Sequence, residues 1–160
     1  MTLPIETLAE TIGVALKQRH LTLAVAESCT GGGLSYWITA IPGSSDWFDR
    51  GFVTYSNQAK QDLLGVNPRT IDTFGAVSEE TVREMAEGVL NHSHADLSIA
   101  ITGIAGPTGG SAQKPVGTVW TAWAKRRGCM QTQVMLVAGD RQTIRTLAIE
   151  NALTHLLTFI

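Results

Sequence analysis

Ser28 and Cys29 are candidate nucleophiles on adjacent residues, set in AVAESCTGGG (24–33) between an apolar run and three glycines. A strand-to-helix turn of this composition leaves several N–H groups unpaired at the helix start. Such amides suit a bound phosphate or the oxyanion formed in acyl transfer. A tight turn closed by a small capping residue is the plain alternative. The spacing is not GxGxxG, not the GxxxxGK[ST] phosphate loop, and not the G-x-S-x-G elbow.

A serine nucleophile needs a base. His20, His92, His94 and His155 all fall in or at the ends of expected helices, away from the turn, which argues against a Ser-His-Asp triad. The pair in HSH (92–94) has no suitable third ligand nearby, so a solvated helix end is expected there and no metal site. Lys60, in TYSNQAK, is the best-placed amine, with Tyr55, Ser56 and Asn57 beside it to hydrogen-bond. As a base it must be neutral, and burial against GFVTY together with a nearby arginine would lower its pKa; a surface lysine is the alternative. Two further stretches have the same double reading. GIAGPTGGSAQKP (103–115) is long enough to be functional in a small domain, with Thr102 and Gly103 at its root, or it is simply a surface loop. GDRQTIR puts Arg141 and Arg145 on successive turns of one helix face, facing an anion or an acidic neighbour.

The surrounding pattern supplies the elements that must position these residues. Ile5, Leu8, Ile12 and Leu16 recur at helical spacing, with Pro4 tolerated at the start. LTLAVAES, GFVTYS, ADLSIAITG, VGTVWTAWA and CMQTQVMLV read as five strands. Helices are expected in GGGLSYWITA, in NQAKQDLLG, and after Ser78, where acids fill the first turn and Val82, Met85, Ala86 and Val89 share a face. Asp140 caps the last helix, with Ile144, Leu147, Ala148 and Leu156 as its apolar stripe. Strands alternating with helices, then two adjacent strands, predict a three-layer α/β/α sandwich with a mixed, mostly parallel five-stranded sheet. Ligands in such folds sit beyond the carboxyl ends of the strands. The loops 27–33, 102–115 and 139–141 would meet there.

The totals narrow the classes. One domain over 1–160 is expected, with 44% hydrophobic and 16% charged residues giving a sizeable core. Every long apolar stretch is interrupted, so no membrane span is expected, and the acidic start MTLPIETLAETIG does not read as a secretory leader. Cys29 and Cys129 lie far apart with no CxxC, which suits a reduced cytoplasm. A net charge of −2 argues against a nucleic-acid binder but leaves room for a small anion met by a few arginines. Trp37, Trp47, Trp120 and Trp123 offer apolar area either for a homo-oligomer contact or for the core.

AESCTGG, PGSSDWFDRGFVTYSNQAK, GAVSEETVREMA, TGIAGPTGGSAQKPVGTVW and GDR, in this order through almost the whole chain, resemble the CinA C-terminal domain family, and in particular its single-domain amidases. The resemblance implies hydrolysis of the carboxamide of nicotinamide mononucleotide to nicotinate mononucleotide and ammonia, without metal or other cofactor. It implies Ser28 as nucleophile, over Cys29, and Lys60 as base. Beside it we expect oxyanion donors at the Thr30 and Gly31 amides. Tyr55, Asn57 and Thr102 would orient lysine and amide, Gly103 would border the substrate, and Arg141 with Arg145 would meet the phosphate or depress the lysine pKa. A nucleotide-binding or protein-interaction module without catalysis is the competing expectation; it would have no need of both Ser28 and Lys60.

Overall fold

Among the described residues four of the five strands run in one direction, and that sends the chemistry-bearing loops to one edge. The computed structural model describes residues 3–160; the first two residues of the N-terminal stretch read above lie outside it. The strands are β1 (Leu23–Glu27), β2 (Phe48–Val53), β3 (Leu97–Gly103), β4 (Thr118–Lys125) and β5 (Met130–Leu136), in the order β2-β1-β3-β4-β5. β1 pairs in parallel with β2 and β3, whereas β4 is antiparallel to both β3 and β5. The carboxyl ends of β1, β2, β3 and β5 therefore share one edge, where the start of β4 joins them. The two parallel connections need crossovers, which α2 (Gly33–Thr39) and the run from α3 (Asn57–Leu64) through α4 (Pro68–Phe74) to α5 (Glu79–Asn91) provide.

Helices cover both faces, because β1 and β3 are buried on both sides. α1 (Ile5–Arg19), α2 and α6 (Arg141–Phe159) pack on one face around Ile12, Leu16, Val25, Ile99 and Trp123. α3, α4 and α5 cover the other, around Ala26, Leu64, Val82, Met85 and Ala100. This is the expected three-layer sandwich.

Local signals explain most boundaries. Ser78 accepts from Thr81 N–H and starts α5, and Asp140 accepts from Thr143 N–H and starts α6. α4 is an addition to the expected helices, built by Asn67 capping Arg69 N–H with Pro68 at the first position. β2 begins three residues before the expected GFVTYS. The stripe of α6 needs one correction. Ile144, Ala148 and Leu156 are buried, joined by Ala152 and Leu153, while Leu147 faces outward. Trp47 and Trp123 are core residues, and Trp37 and Trp120 pack partly buried against the two clusters.

Candidate active site

β1 ends in Glu27, and the chain turns through residues 28–32 into α2. Ser28 N–H still donates to Ile101 O of β3 at 3.0 Å, which ties the candidate nucleophile to the centre of the sheet. Gly31 N–H then donates to Ser28 O (3.1 Å) and Gly33 N–H to Thr30 O (2.9 Å). These turns hold Gly31 and Gly32 at φ of +59° and +98°, a region that disfavours any side chain. Among the described residues the N–H groups of Cys29, Thr30 and Gly32 have no partner. Of the two expected oxyanion donors, Gly31 is thus already engaged, because its N–H is what closes the turn. Thr30 N–H is unpaired but belongs to a fully buried residue, with the unpaired Cys29 N–H beside it.

The Glu27 carboxylate fastens this turn from inside. It is fully buried and accepts four hydrogen bonds: from Thr30 Oγ1 (2.7 Å), Leu34 N–H (2.8 Å), Ser35 N–H (3.0 Å) and Ser35 Oγ (2.8 Å). A negative group at the start of α2 also complements the helix dipole. Sequence reasoning gave Glu27 no role. The available signal was an acid ending an otherwise apolar strand, a position that demands partners.

α3 delivers the amine. Ser56 caps it by accepting from Ala59 N–H at 3.0 Å. Lys60, 1% exposed, places Nζ 3.1 Å from Ser28 Oγ. The same amine donates to Thr54 O (3.0 Å) and Tyr55 O (3.4 Å). Burial lowers the Lys60 pKa from lysine's ordinary 10.5, with the Cys29 side chain acting the other way. The expected arginine contribution is missing, because both guanidinium groups are turned elsewhere. A neutral Lys60 has two N–H bonds and one lone pair. With the two carbonyls taking the N–H bonds, the lone pair is left for the Ser28 hydroxyl. Burial acts oppositely on Cys29, pushing its thiol up to about 11.

Ser28, Cys29, Lys60, Thr102 and Gly103 line a cavity of about 260 Å³ that Tyr55, Asn57 and Arg141 border. Thr102 Oγ1 donates to Ala76 O at 2.9 Å. Asn57 is exposed, with an amide free of partners among the described residues. Across the mouth, Arg141 donates from Nη1 to Gly106 O (2.7 Å) and from Nη2 to Tyr55 Oη (3.2 Å), so the loop after β3 and the end of β2 are joined there. Arg145 departs from expectation. It is not in the cavity wall: Nε donates to Cys29 O (3.1 Å) and Nη2 to Thr30 O (3.2 Å), because the turn exposes those carbonyls to α6. The histidines take no part. His20 and His92 end α1 and α5, His94 N–H bonds Asp49, and His155 lies against Trp123. Among the described residues no group of His, Cys, Asp and Glu has the makings of a metal site.

Residues 5–160 match the model of the CinA C-terminal domain. A protein of Escherichia coli K12 named nicotinamide-nucleotide amidohydrolase PncC is 52% identical over 149 residues, covering 93% of this chain and 90% of its own. One of the same name from Enterobacter agglomerans is 54% identical over 134 residues, 84% of this chain and 82% of its own. The crystal structure of competence/damage inducible protein CihA from Agrobacterium tumefaciens matches with a TM-score of 0.95 at 46% identity, over 99% of this chain and 98% of that one.

Proposed function

The chain belongs to the CinA C-terminal domain family, and from that premise we propose that it is an amidohydrolase of nicotinamide nucleotides. It converts nicotinamide mononucleotide to nicotinate mononucleotide and ammonia through an acyl-enzyme on Ser28. The name carried by relatives more than half identical over most of the chain supports the substrate. The observation that carries the mechanism is the 3.1 Å contact between Lys60 Nζ and Ser28 Oγ, made by an amine that burial biases toward its neutral form.

The neutral amine takes the Ser28 proton as Oγ attacks the carboxamide carbon. The oxygen of that carbonyl becomes an anion beside the turn, where the unpaired N–H of Cys29, a residue of the cavity wall, is the donor at hand. Lys60, now protonated, gives its proton to the departing nitrogen, and ammonia leaves. Water then repeats the cycle on the ester, with Lys60 again as base, and frees the carboxylate. Arg141, on the cavity rim with N–H groups beyond those bound to Gly106 and Tyr55, is the cation available to the substrate phosphate. A module that only bound nucleotides would have no use for a lysine buried against a serine.

The test is ammonia release from nicotinamide mononucleotide by purified protein without added metal. Ser28→Ala and Lys60→Ala should each lower kcat by at least about a thousandfold, as loss of a nucleophile or its base does. Turnover persisting in Ser28→Ala overturns the acyl-enzyme, and wild-type protein that releases no ammonia overturns the substrate.

A further inference from the structure

Lys60 is a buried amine without a counter-ion. Its Nζ meets only neutral oxygens, those of Ser28 Oγ, Thr54 O and Tyr55 O, and among the described residues it is in no salt bridge. No carboxylate lines the cavity. Of the titratable groups that do, Cys29 is a thiol pushed up to about 11, Tyr55 Oη accepts from Arg141, and Arg141 is a cation. The acids of the surrounding elements are engaged elsewhere. At the end of β1, Glu27 gives its oxygens to Thr30, Leu34 and Ser35. On α3 itself Asp62 accepts from Gln58, and on α4 Asp72 is exposed. The buried face of α5 is uncharged from Thr81 through Met85 to Gly88. Its acids Glu79 and Glu84 bind Thr132 and Thr70, while Glu80 and Glu87 are exposed. Asp140 caps Thr143 N–H at the start of α6. The other charges near the turn and the loop after β3, Arg145 and Lys114, are cations held by backbone carbonyls. Nothing around Lys60 therefore offsets a second positive charge brought close to it.

The substrate brings such a charge. Its carboxamide is bonded directly to a pyridinium ring, and the carboxamide carbon must come to within roughly 3.5 Å of Ser28 Oγ for attack. With Nζ 3.1 Å from that oxygen, the ring stays within roughly 10 Å of the amine whichever way it turns. Like charges at this range disfavour the charged form of the amine, and no contact between them is needed. The phosphate acts the other way, but it lies beyond the ribose. Resting on the amidase reading above, we propose that the positive ring of the substrate drives Lys60 to its neutral form, so that the site favours amides carried on a cationic ring over their uncharged counterparts. A proton that Lys60 holds in the free protein passes to solvent as substrate binds. The product reverses the sign, because its carboxylate stands nearer the amine than its ring does and favours the charged lysine.

The experiment measures affinity across pH in full-length Ser28→Ala, which keeps Lys60 and removes turnover. Three ligands are used: nicotinamide mononucleotide, nicotinate mononucleotide, and the benzamide analogue with a ring carbon in place of the charged nitrogen. All carry the same ribose phosphate, so its titration drops out of the comparison. Relative to the benzamide analogue, the substrate should gain about tenfold in affinity as pH rises through the Lys60 pKa, the linkage of a shift of about one unit. Relative to the same analogue, the product should weaken by about tenfold or more over that range. Adding Lys60→Met to Ser28→Ala should make both ratios flat. The wild type supplies a readout that does not need this double variant to fold: the pKa of its kcat profile should lie below that of kcat/KM. A substrate-to-analogue ratio that ignores pH, or a slope that persists without Lys60, overturns the proposal. So do wild-type profiles that share one pKa. A wild type that releases no ammonia from nicotinamide mononucleotide overturns the amidase reading itself, which separates the two failures.

Discussion

Cys29 is buried beside the proposed nucleophile, and its thiol is pushed up to about 11, so about one part in a thousand is thiolate near pH 8. Cys129 is exposed. Iodoacetamide at about pH 8 should therefore add one group per chain, on Cys129, and peptide mass analysis will locate it; equal labelling of both thiols would refute the burial argument. The same contrast explains what could be read from residue types. Ser28 and Lys60 belong to one quoted motif set, and the structure brings their reactive atoms together. Arg145 and Glu27 were opaque because their partners are backbone carbonyls and amides. The direction in which a turn aims such groups has no one-letter code. Arg145 accordingly looked like an anion binder, which is what arginine near a helix start most resembles.

At the scale of elements, the lysine is placed by how α3 lies on α5. Gly88 of α5 lies against Leu64 of α3, and an added Cβ would come to 2.7 Å from Leu64 Cβ and 2.9 Å from its carbonyl carbon. Lys60 is one helical turn before Leu64, so α3 cannot lift off α5 without carrying the amine with it. Gly88→Ala should cost about 1–3 kcal/mol in stability, as overpacking does. It should also lower ammonia release at temperatures where the protein is still folded. Melting curves and rates together check this, and wild-type values for both would remove Gly88 as the reason α3 sits where it does. The sequence predicted the layers and the shared ligand edge because β1 and β3 are continuous apolar runs and the helices have clear caps. It was less informative where burial is partial. β2 is an edge strand of mixed FDRGFV character, so its first residues lacked alternation. Leu147 was assigned inward by type, but the helix turns it toward solvent. For α4, the Asn67–Pro68 pair carried a start signal that no long apolar stripe amplified.

For the molecule as a whole, the buried amine is a stability cost that depends on pH. Unfolded, Lys60 titrates near 10.5; folded, it titrates lower because burial disfavours its charged form. Between the folded and unfolded values the unfolded chain holds more protons, so stability rises with pH through that window. Below the window both states are protonated and the cost is complete; above 10.5 it is gone. Lys60→Met removes the titrating group, although it leaves Thr54 O and Tyr55 O without their donor. That second loss does not vary with pH, and neither do the charges common to both proteins once the two curves are subtracted. Unfolding free energies from urea titrations across the window should therefore show wild type gaining on Lys60→Met as pH rises toward 10.5. A difference that stays flat would mean that the amine is no harder to charge in the fold than in the open chain. The base in this mechanism would then have to be some other group.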